Sequence, residues 1–189
     1  MNFKNLVSPL EEERNSEFQL LPSYFKNNIL SKQDYLKIFK AIYYNYWLCD
    51  GKKSGEKSLQ ISKLLSISKE KIKFVQYFLQ TLDREWESID FLRLDKFYLL
   101  TRTFFKEIAK FKHFKNLKEI LLDILESGQS KRGFKLFLVQ VLTEEILLFK
   151  YSKSLIQIYY KLLDSEDIYK VNENIEKILK SKKISIKHK

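Results

Sequence analysis

The sequence predicts an all-α protein, built as antiparallel helix pairs in a single HEAT-like, α-solenoid-like domain. Three observations predict it. Apolar residues recur at three- and four-residue spacing in segment after segment, while period-two alternation is never sustained. Only four Gly and two Pro occur in 189 residues, and Pro9 and Pro22 both precede residue 23, so nothing downstream forbids long helices. The periodic segments run roughly 11 to 20 residues and are joined by short loops, as in bundles and helical solenoids. No exact internal repeat accompanies them, so the solenoid reading rests on helix lengths alone.

Each element follows in order. Residues 1–30 hold both prolines and the acidic run Glu11, Glu12, Glu13, and read as an arm with at most a short turn of helix. Ser31 precedes the first strong periodic segment, with Asp34 three residues later, a predicted N-cap with an acid in the first turn. From Lys32 to Cys49 the apolar positions Tyr35, Ile38, Phe39, Ile42, Tyr43, Tyr46 and Trp47 make one wide stripe. DGKKSG at 50–55 supplies a loop, and a short helix is expected over 56–66. Ser68 is placed to cap a third helix that ends near Glu87, with Ile72, Val75, Phe78, Leu79 and Leu82 on its stripe. A fourth runs from about Asp90 to Phe111; it is apolar nearly all round, which places it centrally. Further helices are expected at 116–126, 133–149, 153–164 and 166–180, with the main break at Ser127-Gly128 and Lys131-Arg132-Gly133. After Glu176 the chain carries six Lys and no acid. The expected organisation is an arm at 1–30, a helical domain at 31–180 and a flexible basic tail at 181–189.

Hydrophobic residues make up 44% of the chain, enough for a real core, which excludes global disorder. The formal charge of +11 favours a polyanionic partner, nucleic acid or an anionic membrane surface, although a basic surface is also an ordinary solvated face. Cys49 is the only cysteine, so no disulfide forms within the chain, and it reads as a small buried hydrophobe near a helix end. The N-terminus MNFKNLVSPLEEER has no apolar signal region, and charged residues interrupt every apolar stretch well before a bilayer could be spanned. The chain therefore reads as soluble and intracellular, with no membrane partner. It has no phosphate-cradling Gly loop, no HExxH and no G-x-S-x-G. His113 and His188 fall in a basic loop and in the tail. No catalytic residue, cofactor, metal or small-molecule substrate is expected.

The informative stretch is 84–102, REWESIDFLRLDKFYLLTR. The chain has five Arg against thirty Lys, yet Arg84, Arg93 and Arg102 all fall here. Arg offers a planar, bidentate fork that Lys does not, so these three point to geometrically defined contacts. One target is the carboxylate set Glu85, Asp90 and Asp95, which would lock the junction of the third and fourth helices. The other is RNA phosphate or an acidic partner surface. The internal lock is preferred; truncating one member of such a buried pair costs about 3–5 kcal/mol. The carboxylates could also hold a nuclease's metal, but Arg84, Arg93, Lys96 and Arg102 compete for them. Trp47 and Trp86 are read as junction packing, Phe97, Leu99, Leu100, Phe104 and Phe105 as core, and Tyr98 as needing a partner for its hydroxyl if buried. Candidate RNA contacts are Lys52, Lys53 and Lys57 around the first loop, and Lys106, Lys110, Lys112, Lys115 and Lys118 around a later helix end. Lys131, Arg132 and Lys135 open the next helix, and Lys182 and Lys183 lie in the tail.

The same stretch resembles the ribosomal RNA-processing protein 1 family, whose pattern is close to R-E-W-x-x-I-D-x-x-R-L-D-K-[FY]-Y-x-L-x-R. Arg84, Glu85, Trp86, Ile89, Asp90, Arg93, Leu94, Asp95, Lys96, Phe97, Tyr98, Leu100 and Arg102 meet it. Upstream, IFKAIYYNYWLCD at 38–50 is similar to the family's F-K-G-L-F-Y-x-x-W-x-x-D, with Phe39, Lys40, Tyr44, Trp47 and Asp50 identical and Ala41 in place of the usual Gly. RGFKLFLVQVLTEEI at 132–146 looks like the family's following helix. The resemblance covers roughly residues 35–180. Phe91 stands where the family usually has Arg, and the expectation is a short Lys tail in place of the long charged C-terminal extension of many relatives. The resemblance implies a nucleolar, non-catalytic factor of early large-subunit precursors. It would act on pre-rRNA with other assembly factors inside the pre-60S particle. A general helical RNA-binding or adaptor module without a ribosomal role is the alternative.

Overall fold

The computed structural model describes residues 1–111, 117–126 and 132–142. A 3-10 turn at Asn5–Val7 leads into α1 (Glu11–Phe18), α2 (Leu21–Asn27), α3 (Lys32–Trp47), α4 (Ser54–Ile67), α5 (Lys71–Glu85), α6 (Phe91–Ala109), α7 (Leu117–Glu126) and α8 (Arg132–Val141). The described residues contain no strand.

The helices form two layers. Tyr35 stacks on Tyr77 at 5.0 Å, and eight residues further along each helix Tyr43 donates to the Glu85 carbonyl at 3.3 Å, so α3 and α5 run parallel. In the other layer Tyr46 bridges Ser54 of α4 to Lys96 of α6, while Ser66 donates to Glu107 at 3.0 Å, so α4 and α6 also run parallel. Further packing of α2 on α4, α5 on α7 and α6 on α8 extends the two layers. Alternate helices parallel, successive ones reversed, is the arrangement of stacked helical pairs. The all-α, HEAT-like expectation holds. α4 and α6 are the most extensively packed pair. Ser54, Ser58 and Ser62, all buried at four-residue spacing, keep one face of α4 small.

The capping expectation for α3 holds in detail. Ser31 accepts from the Asp34 amide at 3.2 Å, Asp34 accepts from the Ser31 amide at 3.3 Å, and six of the seven residues assigned to the stripe are buried, with Trp47 half-buried.

Three expectations are corrected. The supposed N-terminal arm is folded: Leu6, Leu21, Phe25 and Leu30 are buried in the common core, and Asn45 of α3 donates to the Leu6 carbonyl at 2.7 Å. Pro22 breaks nothing, because it lies in the first turn of α2, where its missing N–H has no helical acceptor to serve. Glu11, Glu12 and Glu13 are the first turn of α1, beside the positive end of the helix dipole. Ser68 does not cap α5; its amide donates to Leu64 at 2.9 Å and it ends α4, while Glu70 stands at the α5 N-cap without a side-chain cap. Ile72 is exposed on α5.

α6 is central along one face only. Phe97, Leu100, Phe104, Phe105 and Ile108 are almost wholly buried, but Leu99 is 40% exposed and Phe91 and Leu92 are each 88% exposed. The helices expected at 153–164 and 166–180, the end of the one at 133–149, and the tail lie outside the described residues.

Candidate functional site

The segment 84–102 is organised by its contacts with two neighbouring helices. The first contact is with the end of α3. A helix leaves its last carbonyls without intrahelical donors. Here the Lys96 ammonium donates to two carbonyls of the last turn, Tyr46 at 2.9 Å and Trp47 at 2.8 Å, and to that of Cys49, just past the helix, at 2.9 Å. A cation at the negative end of a helix dipole is also favourable. Burial pushes the Lys96 ammonium down from its ordinary range, and the three carbonyls oppose this by solvating the charged form. The contact is reciprocal, since the Tyr46 hydroxyl donates to the Lys96 carbonyl at 2.7 Å. Burial pushes the Tyr46 phenol well above its usual range, and that of Tyr43 up to about 12. Tyr43 and Tyr46 rings pack on Phe97 at 4.9 and 5.3 Å, and the Arg93 guanidinium lies 5.2 Å from the Trp47 ring. Asp50 then turns the chain out of α3 by accepting from the Lys52 amide at 2.7 Å.

The second contact is with α8. Trp86 is buried, stacks on Phe137 at 5.3 Å and lies 4.8 Å from Phe134. Tyr98 packs on Phe137 at 4.3 Å, and the Arg102 guanidinium sits 5.7 Å from the same ring. Trp86, Tyr98 and Arg102 thus meet around one phenylalanine.

The expected lock of arginines on buried carboxylates takes a different form. Arg84 pairs with adjacent Glu85 at 2.9 Å, and Arg93 with Asp90 at 2.6 Å, both local and with half-exposed guanidinium groups. Asp90 is the N-cap of α6 and accepts from the Arg93 amide at 3.1 Å. Asp95 is exposed. The junction is held by an ammonium on backbone carbonyls at the end of α3 and by aromatic stacks. Cys49 is half-buried rather than buried, and burial raises its thiol.

The candidate RNA contacts are dispersed. Lys52 and Lys53 are exposed after α3, with Lys53 paired to Glu11 at 2.6 Å. Lys110 pairs with Glu107 at the end of α6. Arg132 opens α8; Lys112, Lys115, Lys131, Lys182 and Lys183 lie outside the described residues. Among the described residues no three His, Cys, Asp or Glu side chains come together as a metal site, and no helix is long and apolar enough to cross a membrane.

Two features escaped the sequence reading. Glu70 accepts from the Leu30 amide at 3.3 Å, the Tyr35 hydroxyl at 3.4 Å and Lys73 at 2.6 Å, tying the N-terminal segment to α3 and α5; the Lys73 ammonium holds its carboxyl below the usual range. A cavity of about 530 Å³ opens between α1 and α4, lined among others by Arg14, Phe18, Asn45 and Lys57, with the Lys57 ammonium 3.7 Å from the centre of the Phe18 ring. Neither has a local signal, because both depend on residues 1–30 being folded.

Comparison with known proteins finds relatives that share a name. A human protein named ribosomal RNA processing protein 1 homolog A is 32% identical over 125 residues, 59% of this chain and 27% of its own length. The mouse homolog B is 32% identical over 130 residues, covering 61% of this chain and 18% of that protein. A Drosophila melanogaster homolog is 24% identical over 153 residues, 71% of this chain and 22% of its own. The matched region is therefore about a quarter or less of each relative. The family model described as "Nucleolar protein,Nop52" matches residues 3–187. The match includes the folded N-terminal segment as well as both junctions, and the chain belongs to the Nop52 family of nucleolar proteins.

Proposed function

We propose that this chain is a non-catalytic assembly factor of the large ribosomal subunit, a helical scaffold in nucleolar pre-60S particles that supports pre-rRNA processing. Relatives of the chain are named for ribosomal RNA processing, which supports a role in making ribosomes. The observation that carries the scaffold reading is where the 84–102 residues spend their polar and aromatic groups. Lys96, Trp86, Tyr98 and Arg102 fasten α6 to α3 and α8. Side chains poised for chemistry would instead converge on an open cleft. A stiff two-layer body holds partners at a fixed separation, which is what an assembly intermediate needs from a protein without an active site.

Its partners in this reading are pre-rRNA and other assembly factors, with no cofactor, small-molecule substrate or membrane. RNA affinity is electrostatic, through Lys52, Lys53, Lys110 and the further basic residues beyond the described part, and falls steeply with salt. The test is affinity purification of the full chain followed by gradient sedimentation and RNA sequencing. Large-subunit precursors with unprocessed pre-rRNA are the expected cargo. Recovery of RNA or protein without such precursors would replace this reading with a general RNA-binding or adaptor module.

A further inference from the structure

The cavity between α1 and α4 holds a cation that its surroundings leave without a counter-charge. Its volume of about 530 Å³ is that of a small-ligand site. Lys57 lines it from α4 and lays its ammonium 3.7 Å from the centre of the Phe18 ring. That ammonium donates to the Asn15 side-chain oxygen at 3.4 Å, and among the described residues it forms no ion pair. Burial pushes it down from its ordinary range, as for a charge that water no longer solvates fully. The two carboxylates of the lining are engaged elsewhere: Glu11 pairs with Lys53 at 2.6 Å, and Glu56 accepts from Gln60 at 3.0 Å. Arg14 is engaged too, donating to the Ser8 and Pro9 carbonyls at 2.7 and 2.8 Å.

A second group is unmet on the α3 side. Asn45 is 1% exposed and lines the same cavity; its Nδ2 donates to the Leu6 carbonyl at 2.7 Å, while its Oδ1 accepts from no donor among the described residues. A buried acceptor without a donor is costly, and a ligand that brings an N–H or O–H relieves it.

The occupant that suits both groups carries an anion for Lys57 and a donor for Asn45. A carboxylate side chain would satisfy the first and bring nothing to the second. A nucleotide has both, a phosphate and the N–H groups of its base or the ribose 2′-hydroxyl. The exposed carboxamides of Asn15, Gln19 and Gln60 offer paired donors and acceptors to a base edge, and Phe18 and Leu64 form an apolar wall. Lys53, a candidate RNA contact, lines the cavity as well, and a chain of charge +11 attracts phosphate.

We propose that the α1–α4 cavity binds one nucleotide, with its phosphate on Lys57 and a donor of its base or ribose on Asn45 Oδ1. The expected source is an unpaired nucleotide of RNA, so the site rests on the RNA-contacting scaffold reading and gives that contact a pocket.

The test is an NMR titration of the full chain with short mixed-sequence single-stranded RNA, the four nucleoside monophosphates, inorganic phosphate and an acidic peptide, reading the Asn45 side-chain amide and the Phe18 ring. RNA should shift both saturably. Lys57→Met should weaken RNA binding roughly 10-fold, as loss of a charge-assisted hydrogen bond does, and the loss should persist in salt that screens exposed lysines. Lys57→Arg should recover part of it, whereas Lys40→Met, on the outer face of α3, should cost less and lose its effect in salt. Shifts with nucleoside monophosphates but not RNA keep the site and assign it to a free nucleotide. Equal shifts with inorganic phosphate or the acidic peptide, no shift at Asn45 while RNA binds, or equal losses from Lys57→Met and Lys40→Met would each overturn the proposal. The titration of the unaltered chain decides even where a variant fails to fold. Sedimentation with large-subunit precursors is scored separately and bears on the scaffold reading, so the two can fail independently.

Discussion

Replacing Lys96 by Met removes the ammonium and keeps most of the aliphatic stem. The carbonyls of Tyr46, Trp47 and Cys49, now 2.8–2.9 Å from Nζ, lose their shared donor. A hydrogen bond to a charged group contributes about 1.5–3 kcal/mol, and a cation at a helix C-terminus about 0.3–1 kcal/mol more. Three bonds from one ammonium are not additive, and Lys96 is only half-buried, so water recovers part of the loss. The net cost is about 2–4 kcal/mol, which for a domain of this size lowers Tm by about 5–12 °C. Lys96→Arg should fall between, since a planar fork keeps the charge but does not converge on three carbonyls as an ammonium does. The control is Arg93→Gln, which removes a half-exposed ion pair of under about 1 kcal/mol. Thermal and urea denaturation followed by circular dichroism measure all three. If Lys96→Met melts within about 1 °C of the unaltered chain, or Arg93→Gln is the more damaging, the α3–α6 junction is an arginine–carboxylate lock after all and the carbonyl account is wrong.

Further outcomes follow from the same contacts. Leu6→Ala should destabilise by about 2–5 kcal/mol in urea denaturation, as a core truncation does; a change near zero would restore the N-terminal arm. Trp86→Ala should cost about 3–5 kcal/mol and speed hydrogen exchange selectively in α8, whose Phe134 and Phe137 it contacts; unaltered exchange there would dissolve the second junction. Glu70 has a folded pKa below its unfolded one, so its contribution is present above the unfolded carboxylate range and is lost as pH falls through the folded value. Glu70→Gln should therefore lower Tm at pH 7, and the gap to the unaltered chain should close at acid pH; a gap independent of pH would mean that the carboxylate charge is immaterial. Lys52→Glu/Lys53→Glu should weaken RNA binding and flatten its salt dependence in filter binding; an unchanged salt slope removes these two from the RNA surface.

What was legible in the sequence was what is local. The Ser31–Asp34 capping box and the stripe of α3 follow from residues three and four apart, and both stand in the structure. The N-terminal segment was misjudged because prolines and short apolar runs look alike in an arm and in two small helices; only Leu6, Leu21 and Phe25 meeting a distant core tells them apart. Ser68 was misassigned because a serine between two helices suits the end of one as well as the start of the next. The exposure of Phe91 and Leu92 is illegible for the opposite reason: a helix apolar nearly all round looks buried until its neighbours show which side they cover. At the junction the participating residues could be read but not their partners. Backbone carbonyls leave no mark in a sequence, whereas Glu85, Asp90 and Asp95 do, and so the carboxylates drew the arginines on paper.

The two matched stretches, 38–50 and 84–102, are better understood as one device. Tyr46 and Trp47 belong to the first and Lys96 and Phe97 to the second, and they meet at the end of α3, fifty residues apart in the chain. A lysine suits this place where an arginine would not, because three carbonyls arranged around a helix end call for a compact donor able to point three ways. The arginines of the segment do different work: Arg84 and Arg93 pair locally on the surface, and Arg102 covers an aromatic ring of α8. The scarcity of Arg in a Lys-rich chain marks the segment that matters, but the cation in it that reaches across to the end of α3 is its one lysine.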